Sequence, residues 1–153
     1  MHLPQLNFPK YRFSFQETNG KTFILDKIRK KYVRLTPEEW VRQNTIAYLT
    51  KEKKYPSTMM AIEMSLTINQ LTKRADIVVF KPAEKAWLLI ECKAPNVEIN
   101  QKTFEQIVRY NMQLNVDYFM LTNGYTHIFC QLDYKDNTYR FLEELPIYRS
   151  YNR

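Results

Sequence analysis

Residues 74–95 read RADIVVFKPAEKAWLLIECKAP, and the fold turns on how they double back. IVVF and WLLI are apolar runs of strand type, and the polar KPAEK between them has turn composition. A hairpin centred between Ala83 and Glu84 makes Asp76 and Glu91 direct partners on adjacent antiparallel strands. Their Cβ atoms then lie ~4.5–5.5 Å apart. Lys93, two residues beyond Glu91, projects from the same face. Side chains alternate along a strand, so a slip of one residue in the turn undoes this pairing.

Two facing carboxylates repel each other, and two readings resolve the conflict. In the first, a divalent cation sits between them. Mg²⁺ prefers hard oxygen ligands and is commonly held by one or two carboxylates plus substrate phosphate. A lysine beside it can orient an attacking water and offset charge on the phosphate in the transition state. In the second, Lys93 simply pairs with Glu91 or Asp76, an interaction worth roughly 0–1 kcal/mol when exposed. The apolar runs on either side read as buried on both faces, which disfavours a bare ion pair there.

The rest of the chain places this hairpin in an α/β frame. NFPKYRFSFQETNGKTFILD reads as an arm with a short hairpin at Thr18-Asn19-Gly20. In the arm, Tyr11, Phe13 and Phe15 alternate with Lys10 and Arg12, as a half-buried strand or a base-stacking surface would. DKIRKKYVRL is densely basic: either a solvated face or a phosphate-contacting edge carrying Arg29, Lys30, Lys31 and Arg34. LTPEEWVRQNTIAYLTKEK opens a helix, with Thr36 as cap, Pro37 in the first turn and Glu39 closing a T-x-x-E capping box. Trp40, Val41, Ala47 and Tyr48 share its apolar face.

STMMAIEMSLTI reads as a strand, NQLTKR as a turn, and NQKTFEQIVRYNMQL as a helix with Phe104, Ile107, Val108 and Met112 on its apolar arc. DYFMLTNG and YTHIFCQL pair through a type I′ turn at Asn123-Gly124, and TYRFLEEL is the last strand. The order αβββαβββ predicts an α/β fold with a central mixed sheet flanked by helices. A single domain is expected, with an arm or strands over 1–30, a core over 31–131, and a final strand and tail over 132–153.

Composition narrows the function. Of 153 residues, 44% are hydrophobic and 14% aromatic, which suits a packed globule. Only two glycines occur, Gly20 and Gly124, so no glycine-rich phosphate loop exists, which argues against a nucleotide-hydrolysing motor in this chain. Cys92 and Cys130 have no zinc spacing and read as buried free thiols. His2 and His127 offer no metal pair, and Met59, Met60 and Met64 read as core filling. No apolar run has the length of a membrane span, and a cytosolic protein is expected. The net charge of +7 favours a polyanionic partner. Arg74 and Arg109 add to the basic candidates.

The pattern D-x14-E-x-K on a strand hairpin resembles the core of the PD-(D/E)XK nuclease superfamily. Gln106 and Tyr110 form the Q-x-x-x-Y motif of its RecB-like members. LTPEEWVRQ, RADIVVF, IECKAP, EQIVRYN and YFMLTNG are together similar to the N-terminal nuclease domain of type I restriction enzyme R subunits, from about Lys31 to Gln131. This resemblance implies a restriction-endonuclease-like fold. It implies Mg²⁺, with Mn²⁺ as substitute, held by Asp76, Glu91 and the backbone carbonyl of Cys92, with Lys93 as the catalytic lysine.

Gln106 and Tyr110 would position DNA or that lysine. Glu39 matches the first-helix acid of the superfamily, or serves only its cap; Glu63 points into the same cleft, or forms a rim salt bridge. The implied function is Mg²⁺-dependent endonuclease cleavage of DNA phosphodiester bonds by a stand-alone relative of these domains. The alternative is a nucleic-acid-binding module, or a subunit active only within a larger restriction or repair complex. Implied partners are DNA, a separate helicase or specificity subunit, and a second copy of the chain, with no membrane.

Overall fold

In the computed structural model, which describes residues 2–83 and 85–149, the strand formers build two sheets. The smaller is antiparallel and comprises β1 (Phe15–Thr18), β2 (Lys21–Asp26) and β3 (Lys31–Arg34). Asn19 and Gly20, at φ 54° and 75°, make the β1–β2 turn that an Asn-Gly pair predicts. The larger sheet holds β4 (Met60–Ile68), β5 (Leu71–Lys81), β6 (Lys85–Cys92), β7 (Tyr118–Thr122), β8 (His127–Asp133) and β9 (Thr138–Leu142), side by side in chain order. β6 and β7 run parallel, joined by a crossover through α2 (Gln101–Met112), and the other neighbours are antiparallel. With α1 (Pro37–Lys51) ahead of β4, the expected αβββαβββ order and mixed sheet are present.

The central strands are buried on both faces. Ile77, Val79, Leu88 and Ile90 pack with Val41 and Leu49 of α1; Val78, Leu89, Phe119 and Leu121 pack with Phe104 and Val108 of α2. α2 is amphipathic as its spacing predicts, with Ile107 half-buried, and the Asn100 side chain accepts the Thr103 N–H at 2.8 Å.

α1 departs from the single apolar face expected of it. Arg42, Gln43, Asn44 and Thr45 are buried along with Val41 and Ile46, because the helix is covered from a second side. The Trp40 indole N–H donates to the Pro4 carbonyl at 2.9 Å, and Phe13 meets Trp40 edge-on at 5.1 Å. Tyr11 and Phe13 thus lie outside any strand, and Phe15 begins β1. Half of the capping box forms: Thr36 Oγ1 accepts the Glu39 N–H at 3.0 Å. The Glu39 carboxylate turns inward to other partners.

Two turns differ from expectation. Thr122 pairs with His127, so the β7–β8 loop has four residues and is not a type I′ turn. Asn123 Oδ1 accepts the N–H groups of Tyr125 and Thr126, while Gly124 takes φ 91°. A Cβ at Gly124 would come within 2.8 Å of Leu6, which packs over the loop.

The β5–β6 turn is centred on Ala83, pairing Lys81 with Lys85 and Phe80 with Ala86, slightly earlier than expected. A bulge then restores the register, with Val79 opposite Leu88 and Ile77 opposite Ile90. Trp87 is the inserted residue, so Trp87 and Leu88 both face the α1 layer, where the indole meets Tyr55, Tyr118 and Tyr148. Beyond the bulge the strand register is the one that makes Asp76 and Glu91 next in line.

Candidate active site

The β5–β6 ladder ends at Ile77 and Ile90, and a side chain takes over from backbone there. Asp76 Oδ2 accepts the Cys92 N–H at 2.7 Å. Across the gap, the Lys93 N–H donates to the Thr122 carbonyl of β7 at 2.8 Å. The N–H and C=O of one strand residue point to the same edge, so the Cys92 carbonyl shares the edge that faces Asp76. Asp76, Cys92 and Glu91 are thereby gathered where β5 and β6 part.

The two carboxylates draw on different layers. Asp76 Oδ1 accepts from Arg42 Nη2 of α1 at 2.9 Å. Glu91 Oε1 accepts from Lys73 Nζ of β5 at 2.6 Å, and Lys73 lies 5.0 Å from the centre of the Tyr110 ring on α2. Lys93 Nζ is 3.9 Å from Glu91 Oε2. Both carboxylates are partly accessible, at 18% for Asp76 and 12% for Glu91.

Behind Asp76 lies a buried ionic network, in which only the Nε of Arg42 lacks a hydrogen-bond partner among the described residues. Arg42 Nη1 donates to Glu39 Oε1 at 2.6 Å, and Glu39 Oε2 accepts from Arg29 Nη2 at 2.9 Å and Gln43 Nε2 at 3.0 Å. Arg29 Nε and Gln43 Nε2 both donate to Asp26 Oδ2, at 2.6 and 3.0 Å. Burial opposes the charge on Arg42, but Glu39 and Asp76 outweigh it and hold the guanidinium above its usual pKa. For Asp26, burial is likewise outweighed, by N–H and guanidinium donors from Arg29, and the carboxyl titrates below its usual range.

The expected site residues therefore divide. Asp76, Glu91, Lys93 and the Cys92 backbone come together, and Tyr110 reaches them through Lys73. Gln106 stands one turn before Tyr110 on the exposed side of α2. Glu39 is buried in the network behind Asp76, which makes it a support for Arg42. Glu63 forms the rim salt bridges: its Oε2 accepts from Arg74 Nη2 at 3.0 Å and Arg29 Nη1 at 3.3 Å, and Arg42 Nη2 lies 3.5 Å from Oε1.

Arg29 was expected among the phosphate contacts and is instead turned inward onto Asp26, Glu39 and Glu63. Lys30, Lys31, Arg34, Arg74 and Arg109 are exposed. Three participants escaped the sequence reading: Arg42, Lys73 and Glu38. Burial and the nearby Asp76 push the Glu38 carboxyl up, while Arg42 and Lys93 pull it down, which places the start of α1 within electrostatic reach of the site. Only the i,i+4 spacing of Glu38 and Arg42 hinted at those two, and nothing pointed to Lys73.

A family model described as type I restriction enzyme R protein N terminus (HSDR_N) matches residues 37–146. The chain belongs to this family. The matched span of this R-protein N-terminal domain runs from the first residue of α1 past β9, so it contains the whole αβββαβββ unit with Arg42, Asp76, Glu91, Cys92 and Lys93, while Asp26 and Arg29 of the network precede it. Among solved structures, the chain is similar to a fragment assigned as the HsdR subunit of a type I restriction enzyme from Vibrio vulnificus YJ016. The identity is 19% and the TM-score 0.47, over 69% of this chain and 23% of that one. The chain thus spans about a quarter of that protein's length. A search of curated proteins returns no match.

The donor set suits a hard divalent cation. Among the described residues no three His, Cys, Asp or Glu side chains converge as a ready-made metal cluster. Mg²⁺ needs less than that, since waters and substrate oxygens complete its shell. Two carboxylates and a carbonyl, all oxygen, partly open and lined by cations, meet the requirement. No helix among the described residues is long and apolar enough to cross a membrane.

Proposed function

We propose that this R-protein N-terminal domain hydrolyses DNA phosphodiester bonds with Mg²⁺, acting in restriction. The observation that carries the reading is the Asp76 carboxylate seated on the Cys92 amide, with Glu91 and Lys93 on either side. Asp76, Glu91 and the Cys92 carbonyl would hold the metal, which supplies charge neutralisation on the phosphate and a more acidic water. Lys93 Nζ, a neighbour of Glu91 on the open side of the cleft, would orient the attacking water and offset charge on the phosphate. Arg42 fixes the direction of the Asp76 carboxylate from behind. Lys73 holds Glu91 and ties it to Tyr110, whose exposed ring edges the substrate path with Gln106. Lys30, Lys31, Arg34 and Arg109 supply phosphate contacts whose number sets the salt dependence of binding.

The test is a cleavage assay on linear, branched and single-stranded DNA with Mg²⁺ or Mn²⁺, comparing the wild type with Lys93→Ala and Asp76→Ala. Loss of cleavage with unchanged melting of Lys93→Ala supports the proposal. Full activity in a well-folded Lys93→Ala protein removes it. A second reading, a binding module that does not turn over or that acts only in a larger complex, is favoured by one observation: Asp76 and Glu91 both already have cationic partners. Salt-sensitive DNA binding without cleavage, and without metal uptake by calorimetry, would select it.

A further inference from the structure

β4 and β5 continue well past the point where β6 leaves them. Their pairing runs from Met60 opposite Val79 to Ile68 opposite Leu71, whereas β5 and β6 stop pairing at Ile77. Leu71 lies six residues beyond Ile77, a reach of about 20 Å at ~3.3 Å per residue. The result is a two-stranded ribbon rooted beside Asp76.

Its two faces differ in chemistry. Leu66 and Leu71 pack against the core under α2, Ala75 is buried there, and Lys73 is pinned to Glu91. That face anchors the ribbon. Ser65, Thr67, Thr72 and Arg74 occupy the opposite face, all exposed, with Ser65 paired to Arg74 and Thr67 to Thr72. At the tip, Asn69 and Gln70 take φ 52° and 66°, a turn that leaves both amide side chains exposed. From residue 65 to 74 there are two basic residues and no acidic one. At the root, Glu63 is bonded to both Arg74 and Arg29, which fastens the β2–β3 turn there and sets exposed Lys30 and Lys31 alongside.

We propose that this ribbon enters the major groove of duplex DNA and sets the position of the strand presented to Asp76. The inference rests on the nuclease reading above and gives that site its substrate form. The major groove, about 12 Å wide, admits a two-stranded ribbon, and Asn or Gln amides there match the N6 and N7 of adenine. Thr67 and Thr72 supply hydroxyls to base edges or the groove wall, while Arg74, Lys30 and Lys31 meet phosphates at the root. A protein partner would call for an apolar patch at the centre of the surface. The outward face of the ribbon has none.

The experiment uses the full chain in Ca²⁺, with a labelled duplex and the matching single strand, read by fluorescence anisotropy. The double variant Thr67→Glu/Thr72→Glu places two charges in the groove path, away from Asp76, Glu91 and Lys93. Duplex affinity is expected to fall by about tenfold or more and single-strand affinity much less, with the far-UV circular dichroism unchanged and only a small drop in melting temperature from the lost Thr67–Thr72 hydroxyl contact. The variant Asn69→Gly/Gln70→Gly keeps the turn backbone and removes both amides; it is expected to flatten preference among duplex sequences and keep non-specific affinity. Wild-type duplex affinity in the folded Thr67→Glu/Thr72→Glu protein overturns the ribbon's role and leaves the nuclease reading standing. An equal loss on single strands overturns groove insertion in favour of a general charge effect. A wild type that binds no duplex overturns both readings together.

Discussion

The two carboxylates at the mouth of the β5–β6 hairpin lie on neighbouring strands yet are held in opposite ways. Asp76 is backed by α1 through Arg42, whose side chain is 5% exposed and is itself held by the buried Glu39. Glu91 is held by two lysines on flexible stems, one of which, Lys73, leans on the exposed Tyr110. The Asp76 side is a fixed wall whose removal strands buried charge. The Glu91 side is an exchangeable one, where a lysine can give way to a stronger cation. Under the proposed Mg²⁺ reading, Asp76 would be the pre-aimed ligand and Glu91 the one that changes partner when substrate arrives.

The sharpest way to break this comparison is Arg42→Leu. It leaves Glu39 and Asp76 without their shared cation in a buried setting, and about 3–5 kcal/mol of stability should be lost in urea unfolding. A loss no larger than that of a surface substitution would mean the wall is not fixed.

Acid titration probes the same wall more gently. The Asp26 carboxyl titrates below its unfolded value, so the stability it supplies is present above about pH 3.9 and is lost as pH falls through its folded pKa. Asp26→Asn should therefore cost about 2 kcal/mol at neutral pH and flatten the acid limb of the stability profile. An unchanged acid limb would place the acid-sensitive group elsewhere.

On the other side, Lys73→Met should cost only about 1.5 kcal/mol. It should also lower the Mn²⁺ concentration that half-saturates binding in calorimetry, because the competing ammonium is gone. Weaker Mn²⁺ binding in that variant would make Lys73 a support of Glu91 and not its placeholder. The smallest effect belongs to the thiols. Cys92 and Cys130 are buried, and burial pushes the Cys130 thiol up to about 12. Neither should react with an alkylating reagent at neutral pH until the chain unfolds, as mass spectrometry would read directly.

Much of this arrangement was legible in the sequence because it is local. Thr36 caps α1, and the arc of Phe104, Val108 and Met112 faces the sheet; the register at Ile77 and Ile90 is the expected one, but only because the Trp87 bulge offsets a turn centred on Ala83. What escaped depends on pieces remote along the chain. Arg29 reads as a phosphate contact by its neighbours, yet three acids from β2, α1 and β4 turn it inward. Lys73 reads as part of a turn, yet β5 begins before it and delivers it to Glu91. α1 conceals its surroundings for a related reason: its buried Arg42, Gln43 and Asn44 look like a solvent face until the arm and the small sheet close over them.

The inserted Trp87 has a consequence for how this hairpin can vary. Its indole is lodged among Tyr55, Tyr118 and Tyr148, so the strand is clamped midway between tip and cleft. Changes in the length or composition of the KPAEK tip end at that clamp, and the spacing of the acids stays as it was. The aromatic clamp is where a deletion would throw the spacing of the acids out of step.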